Sequence, residues 1–107
     1  ETEDQFEVGT VSAALYGRAQ ALVRESSDWS VANGLSEAAA RKLVAQTFVA
    51  SGRMIAESDE PMDAILKSLC TPGGITEAGL VHLQDQRAID AWRQSCDVVL
   101  ERLRKTT

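Results

Sequence analysis

The chain has 107 residues, a formal net charge of −5 and 44% hydrophobic residues. This length is typical of one domain, whose folding hides roughly two thirds of the unfolded surface, and we predict a single domain over residues 1–107. A protein that binds phosphate backbones needs a broad basic face, and the net negative charge argues against one, so we predict no binding of nucleic acid. A DNA-binding helical domain is therefore only a distant alternative.

Apolar residues recur along every long segment with a helical period of about 3.6 residues, and no segment alternates like a strand. The first predicted helix carries an apolar stripe over residues 11–32 and is closed by Gly34. Gly17 lies inside this stripe and indicates a close helix crossing. The second predicted helix begins after Ser36, a favoured N-cap residue, and extends to Ile55.

A third, short helix is predicted from Pro61 to Leu69 and stops at a Pro-Gly-Gly turn. A fourth helix is predicted to begin near Thr76. The last predicted helix has the most regular apolar seam, which is typical of a helix that packs on another helix. Its members are Ile89, Trp92, Cys96, Val99 and Leu103. The fold class that follows is all-α, a bundle of about five helices.

The sequence lacks the residue patterns of a self-sufficient catalyst, and we predict neither a catalytic residue nor a metal site. Cys70, Cys96 and His82 have no neighbours at metal-ligand spacing. A Cys70–Cys96 disulfide is compatible with the sequence, but we expect two core thiols in a reducing compartment. We find no membrane-spanning stretch and no signal peptide, and predict a cytoplasmic protein without a membrane partner.

The segment Thr71–Thr76 has the sequence Thr-Pro-Gly-Gly-Ile-Thr and separates two helical patterns. At the helix that follows, we expect the backbone N–H groups of Gly74, Ile75 and Thr76 to be unpaired donors. Such donors add to the positive end of the helix dipole and attract anions such as a small carboxylate. The alternative is an ordinary interhelical turn in which Thr76 is the N-cap residue.

The same segment resembles the Ser-Pro-Gly-Gly-Thr-Thr motif of the C-terminal domain of pyrroline-5-carboxylate reductases. The likeness continues in the following Glu-Ala-Gly-Leu and in Leu80–Leu83. Before the motif it includes Asn33–Leu35, which ends a long helix, and the small-residue helix from Ala45 to Met54. It therefore covers nearly the whole chain in the right order.

The resemblance implies an intertwined dimer with the fold of the 6-phosphogluconate dehydrogenase C-terminal domain. In this family an N-terminal dinucleotide-binding domain precedes the helical one, and hydride passes from NADPH or NADH to the imine carbon of pyrroline-5-carboxylate, giving proline. The chain starts at Glu1 without a methionine and contains no Gly-x-Gly-x-x-Gly unit, so we expect a piece of such an oxidoreductase. By itself it would be inactive, with NADP or NAD bound mainly by the absent domain.

Carried over by position, the resemblance implies that Gly74, Ile75 and Thr76 hold the substrate carboxylate while Thr71 shapes the turn. The predicted substrate-binding residues are Thr71, Gly73, Gly74, Ile75 and Thr76. The resemblance also implies a homodimer interface formed by the first two helices and the last one. The predicted interface residues are Leu15, Leu22, Phe48, Trp92 and Cys96.

Two departures from the family pattern leave the substrate open. Ile75 stands where the family usually has Thr or Ala, and Val8–Ala14 differs from the usual Ser-Gly-Ser-Gly-Pro-Ala-Tyr stretch. A related imine or a 2-oxo compound is therefore an alternative substrate. The alternative from another class is a helical interaction or dimerisation module without a small-molecule site.

Overall fold

A computed structural model describes residues 2–106, in which every regular element is an α-helix. The helices are α1 (Glu3–Ala13), α2 (Leu15–Ala32), α3 (Glu37–Ala56), α4 (Met62–Leu69), α5 (Ile75–Asp85) and α6 (Ala88–Thr106). The all-α prediction is confirmed. The first predicted helix is two helices, because the chain leaves the helical conformation for one residue at Ala14, which has φ −71° and ψ 1°.

The chain divides into two compact units. One contains the residues up to Ala14 together with those from Pro61 onward, and the other is Leu15–Glu60. The single domain that the sequence predicts over residues 1–107 remains a prediction.

The unit Leu15–Glu60 is a pair of packed helices, α2 and α3. Gly34 follows α2 with φ +115°, as expected for a residue that closes a helix. The Ser36 hydroxyl oxygen accepts a hydrogen bond from the Ala39 N–H at 3.2 Å, which confirms the predicted N-cap. The predicted crossing at Gly17 is wrong within the described chain. A Cβ there would meet no atom within 4 Å, and the fully covered residue of this unit is Ala40.

In the other unit, α6 packs against both α1 and α5. A capping box begins α1, with the Gln5 N–H donating to Thr2 Oγ1 at 3.1 Å and the Thr2 N–H donating to Gln5 Oε1 at 2.9 Å. Arg104 of α6 lies 3.5 Å from a carboxylate oxygen of Glu7 on α1. The capping box closes the N-terminus of α1, and the ion pair joins α1 to α6.

Little apolar surface is covered within the described chain. The buried hydrophobic side chains between residues 2 and 106 are Val11, Ala40 and Ile65, whereas Tyr16 and Trp29 are 77% and 68% exposed. Each of the six helices exposes large apolar side chains, and a contiguous patch of such side chains is a candidate interaction site. No helix described between residues 2 and 106 combines the length and the apolar character needed to cross a membrane.

Candidate functional site

The start of α5 lies one residue before the predicted position. Gly74 is its N-cap residue, with extended backbone (φ −83°, ψ 170°), and Ile75 is the first helical residue. The Gly74 carbonyl accepts the first helical hydrogen bond, from the Ala78 N–H at 3.1 Å. Thr76 is therefore the second residue of the helix, and the alternative in which it is the N-cap is wrong.

Two hydrogen bonds within the loop fix its conformation. The Gly74 N–H donates to the Thr71 carbonyl at 2.8 Å, and the Gly73 N–H donates to Glu77 Oε1 at 3.0 Å. The expectation that the Gly74 amide is an unpaired donor is therefore wrong, because the turn from Thr71 to Gly74 uses that amide itself.

The amides that remain are those of the first turn of α5. In the described part of the chain, the N–H groups of Ile75, Thr76 and Glu77 form no hydrogen bond. Ile75 is 94% exposed, and Thr76 is exposed as well. The donor set is therefore displaced by one residue from the sequence prediction, and it includes the Glu77 amide that sequence reasoning missed.

Both glycines of the loop are needed for its shape. Gly73 has φ +76°, a left-handed conformation that other residues rarely adopt. A Cβ at Gly74 would lie 3.0 Å from the Thr71 carbonyl oxygen, which is closer than ordinary contact. Together they form a tight bend that leaves the following amides uncovered at a helix start, where three donors and the helix dipole favour a carboxylate.

Gly73→Ala should lower the free energy of unfolding by about 1 kcal/mol, because alanine is strained at positive φ. Gly79→Ala is the matched change within α5, where an added Cβ meets no atom within 4 Å. It should raise stability by about 0.5–1 kcal/mol through helix propensity. Urea unfolding of both variants at one protein concentration tests this pair. Equal destabilisation would contradict the strain at Gly73.

The predicted interface residues divide between the two units. Leu15, Leu22 and Phe48 lie in the α2–α3 unit, where Leu22 is 43% and Phe48 39% exposed. Trp92 and Cys96 are half-buried on α6 of the other unit. Their role in an interface stays a prediction.

An apolar groove of about 580 Å³ runs between α2 and α3. Phe48 and Val49 line it from α3, and Tyr16, Ala19 and Val23 line it from α2. Sequence reasoning missed Tyr16, which lies three residues before Ala19 and seven before Val23 and so shares their side of α2. This helical spacing is the signal that could have indicated it.

The thiols and acids of the chain do not form a second site in the described residues. Cys70 and Cys96 are both thiols, and each is half-buried. Between residues 2 and 106, no group of three or more His, Cys, Asp or Glu side chains could hold a metal ion.

Comparison with known proteins gives one family. Residues 3–106 match the family described as pyrroline-5-carboxylate reductase dimerisation. The chain is 38% identical over 76 residues to pyrroline-5-carboxylate reductase 3 of Xenopus laevis, covering 71% of this chain and 26% of that protein. It is also 38% identical over 58 residues to pyrroline-5-carboxylate reductase 2 of Bacillus subtilis, covering 54% of this chain and 21% of that protein.

Solved structures agree on the fold. The pyrroline carboxylate reductase of Plasmodium falciparum, solved with NADP bound, superposes with a TM-score of 0.86 at 25% identity, over 95% of this chain and 39% of that one. The 1-pyrroline-5-carboxylate reductase of Streptococcus pyogenes has a TM-score of 0.87 at 24% identity, over 95% of this chain and 40% of that one, and supports the fold alone.

The chain spans about a quarter of the length of the curated relatives that it matches. The family match extends over nearly all of its residues. The chain therefore belongs to the pyrroline-5-carboxylate reductase dimerisation family.

Proposed function

We propose that this chain is the dimer-forming and substrate-binding part of an NAD(P)H-dependent oxidoreductase that reduces 1-pyrroline-5-carboxylate to proline, or reduces a related cyclic imine. The main support for substrate binding is the set of unpaired backbone N–H groups at Ile75, Thr76 and Glu77. The names of the curated relatives support the choice of reaction.

The dimer role is supported by the apolar surface that a single chain leaves open. Large side chains such as Tyr16, Trp29 and Phe48 are exposed, and Phe48 lines the groove between α2 and α3. Covering such surface is worth about 25 cal/mol for each Å² of apolar area. A second copy would present the same face in a symmetric interface. The family description, dimerisation, agrees with this role.

The nucleotide cofactor, NADP or NAD, would be bound mainly by residues outside this chain. The Plasmodium relative holds NADP. Residues 2–106 contain no strand, and hence no strand–glycine turn–helix unit to hold a pyrophosphate. The bound nicotinamide would supply the hydride, and this chain alone would be inactive.

The residues of this chain would bind and orient the substrate. The three amides and the Thr76 hydroxyl can donate to the two oxygens of a carboxylate. Hydrogen bonds to a charged group are worth about 1.5–3 kcal/mol each. Fixing the carboxylate fixes the ring attached to it, and so the position of the imine carbon.

The test is inhibition of the full protein that carries this chain by cyclopentanecarboxylate and by its neutral carboxamide. Both have the same ring, but only the first carries the negative charge. The carboxylate should compete with substrate at least tenfold more strongly, because the amides and the helix dipole favour an anion.

Equal potency of the two compounds would contradict a carboxylate site at α5. With the dimer intact, that outcome would favour the alternative, a helical interaction module in which the Pro-Gly-Gly segment is only a turn. The cytoplasmic location and the absence of nucleic acid binding stay predictions from the sequence.

A further inference from the structure

We propose that Asn33 is a site of spontaneous deamidation and that the hydrogen bonds at the end of α2 control its rate. Asn33 is the only asparagine of the chain, and Gly34 follows it. Glycine has no Cβ to shield its backbone nitrogen, which makes asparagine followed by glycine the most reactive pair for this chemistry. Both residues are exposed, in the turn that follows α2. They belong to the α2–α3 unit, whereas the proposed substrate site belongs to the other unit.

In deamidation the backbone nitrogen of Gly34 attacks the side-chain carbonyl carbon of Asn33. The nitrogen loses its proton, the new bond closes a cyclic succinimide, and the side-chain nitrogen leaves as ammonia. Water then opens the ring. Cleavage of the newly formed bond gives aspartate, whereas cleavage of the original peptide bond gives isoaspartate, in which the main chain passes through the former side chain. No atom is oxidised or reduced, and water is the only co-reactant.

Two hydrogen bonds hold the reacting groups apart in the folded chain. The side-chain Nδ2 of Asn33 donates to the Trp29 carbonyl at 2.9 Å, and the Gly34 N–H donates to the Val31 carbonyl at 3.1 Å. Attack needs the Gly34 nitrogen without its proton and the Asn33 side chain turned toward it, so both bonds must break first. The reaction therefore starts from chains in which the last turn of α2 has opened locally.

The Gly34 hydrogen bond is part of the closure of α2. Gly34 has φ +115°, and the Leu35 N–H donates to the Ser30 carbonyl at 3.1 Å. Together with the bond from Gly34 to Val31, this pairing is a Schellman motif. Opening the turn therefore costs more than one hydrogen bond, and the folded chain should deamidate slowly.

The products of deamidation weaken the same closure. Aspartate places a negative charge at the C-terminus of α2, where the helix dipole is already negative, and it removes the donor to the Trp29 carbonyl. Residues 25–40 contain no lysine or arginine that could offset the new charge. Isoaspartate also lengthens the main chain before Gly34 and so displaces its N–H from the Val31 carbonyl. Either product loosens the turn that joins α2 to α3.

The first test compares the full protein with a synthetic peptide of residues 25–41, the tryptic fragment that contains Asn33. Both are incubated in the same neutral buffer, and the protein is then digested with trypsin. Chromatography with mass spectrometry separates the asparagine, aspartate and isoaspartate forms. The peptide should yield both products, and the folded protein should react at least about tenfold more slowly, because opened chains are a minority. A peptide that stays intact, or a protein that reacts as fast as the peptide, would overturn the proposal.

The second test changes the stability of the end of α2. Ala32→Gly lies in its last turn and favours opening, whereas Ala21→Gly is the same change at an exposed position far from that end. The Ala32 variant should deamidate roughly threefold faster than the Ala21 variant. Equal rates in the two variants would overturn control by the end of α2.

The third test measures the effect of the product on stability. Asn33→Ala removes the donor to Trp29, and Asn33→Asp removes it and adds the charge. Urea unfolding at one protein concentration should show an unfolding equilibrium constant raised about threefold by alanine and about tenfold by aspartate. The difference between them should shrink at high salt. Equal stability of the two variants at low salt would overturn the effect of the charge on α2.

Discussion

Phe48→Glu should raise the dissociation constant of the dimer more than about 1,000-fold. Phe48 lines the apolar groove between α2 and α3 and is 39% exposed in the single chain. In a symmetric dimer the substitution acts twice. Each copy should lose at least about 2 kcal/mol, since the apolar contact disappears and a carboxylate is taken out of water. Two such losses total about 4 kcal/mol, which corresponds to a roughly 1,000-fold increase in the dissociation constant of the dimer.

The control for this effect is Gln46→Glu, which adds the same charge to an exposed position of the same helix. Sedimentation velocity over a thousandfold range of concentration gives the dimer constant, and far-ultraviolet circular dichroism reports helix content. The Gln46 variant should remain a dimer. A Phe48 variant that dimerises as tightly as the Gln46 variant would contradict an interface at this groove.

A variant that unfolds on dilution would fit the same explanation. The described chain buries so few large apolar side chains that its folding and its association are expected to be coupled. In that case helix content and dimer population should fall together as the protein is diluted. Loss of helix at concentrations where the dimer persists would instead assign Phe48 to the packing of its own chain.

The helices could be predicted because their signals are local. The polar N-cap at Ser36 and the left-handed Gly34 are properties of a few consecutive residues. The division between α1 and α2 could not be predicted. Ala14 departs only slightly from helical torsion angles, and the apolar stripe continues past it without a proline or glycine at the break.

The covering of the apolar faces could not be predicted from the sequence. Periodicity identifies Leu22 and Phe48 as members of apolar stripes. It carries no information on whether the covering surface belongs to the same chain. The exposed fractions of 43% and 39% show that the described chain leaves both side chains partly uncovered, and their place in a dimer interface stays a prediction.

At the candidate site, the sequence predicts the turn but not the hydrogen bonds that the turn forms. Proline followed by two glycines predicts a bend before a helix, and the bend is there. The exact donors depend on which turn hydrogen bond the loop forms. Because the Gly74 N–H bonds the Thr71 carbonyl, the free amides begin at Ile75 and extend to Glu77. A shift of one residue in a helix start decides which amide meets a ligand.

This shift has a measurable consequence at Thr76. Thr76→Ala should change the free energy of unfolding by less than about 0.5 kcal/mol, because Gly74 and not Thr76 occupies the N-cap position. In the full protein the same variant should weaken carboxylate binding about tenfold or more. The lost hydroxyl would be one donor to a charged group, worth about 1.5–3 kcal/mol.

Two further variants isolate the hydroxyl. Thr76→Ser keeps it and should restore most of the affinity, while Thr10→Ala removes an exposed threonine hydroxyl from α1 and should leave affinity unchanged. Urea unfolding measures stability, and the Michaelis constant with the inhibition constant of cyclopentanecarboxylate measures affinity. If Thr76→Ala instead cost about 1 kcal/mol of stability with parental affinity, the hydroxyl would be a structural cap, and the carboxylate would have to be held by the backbone amides alone.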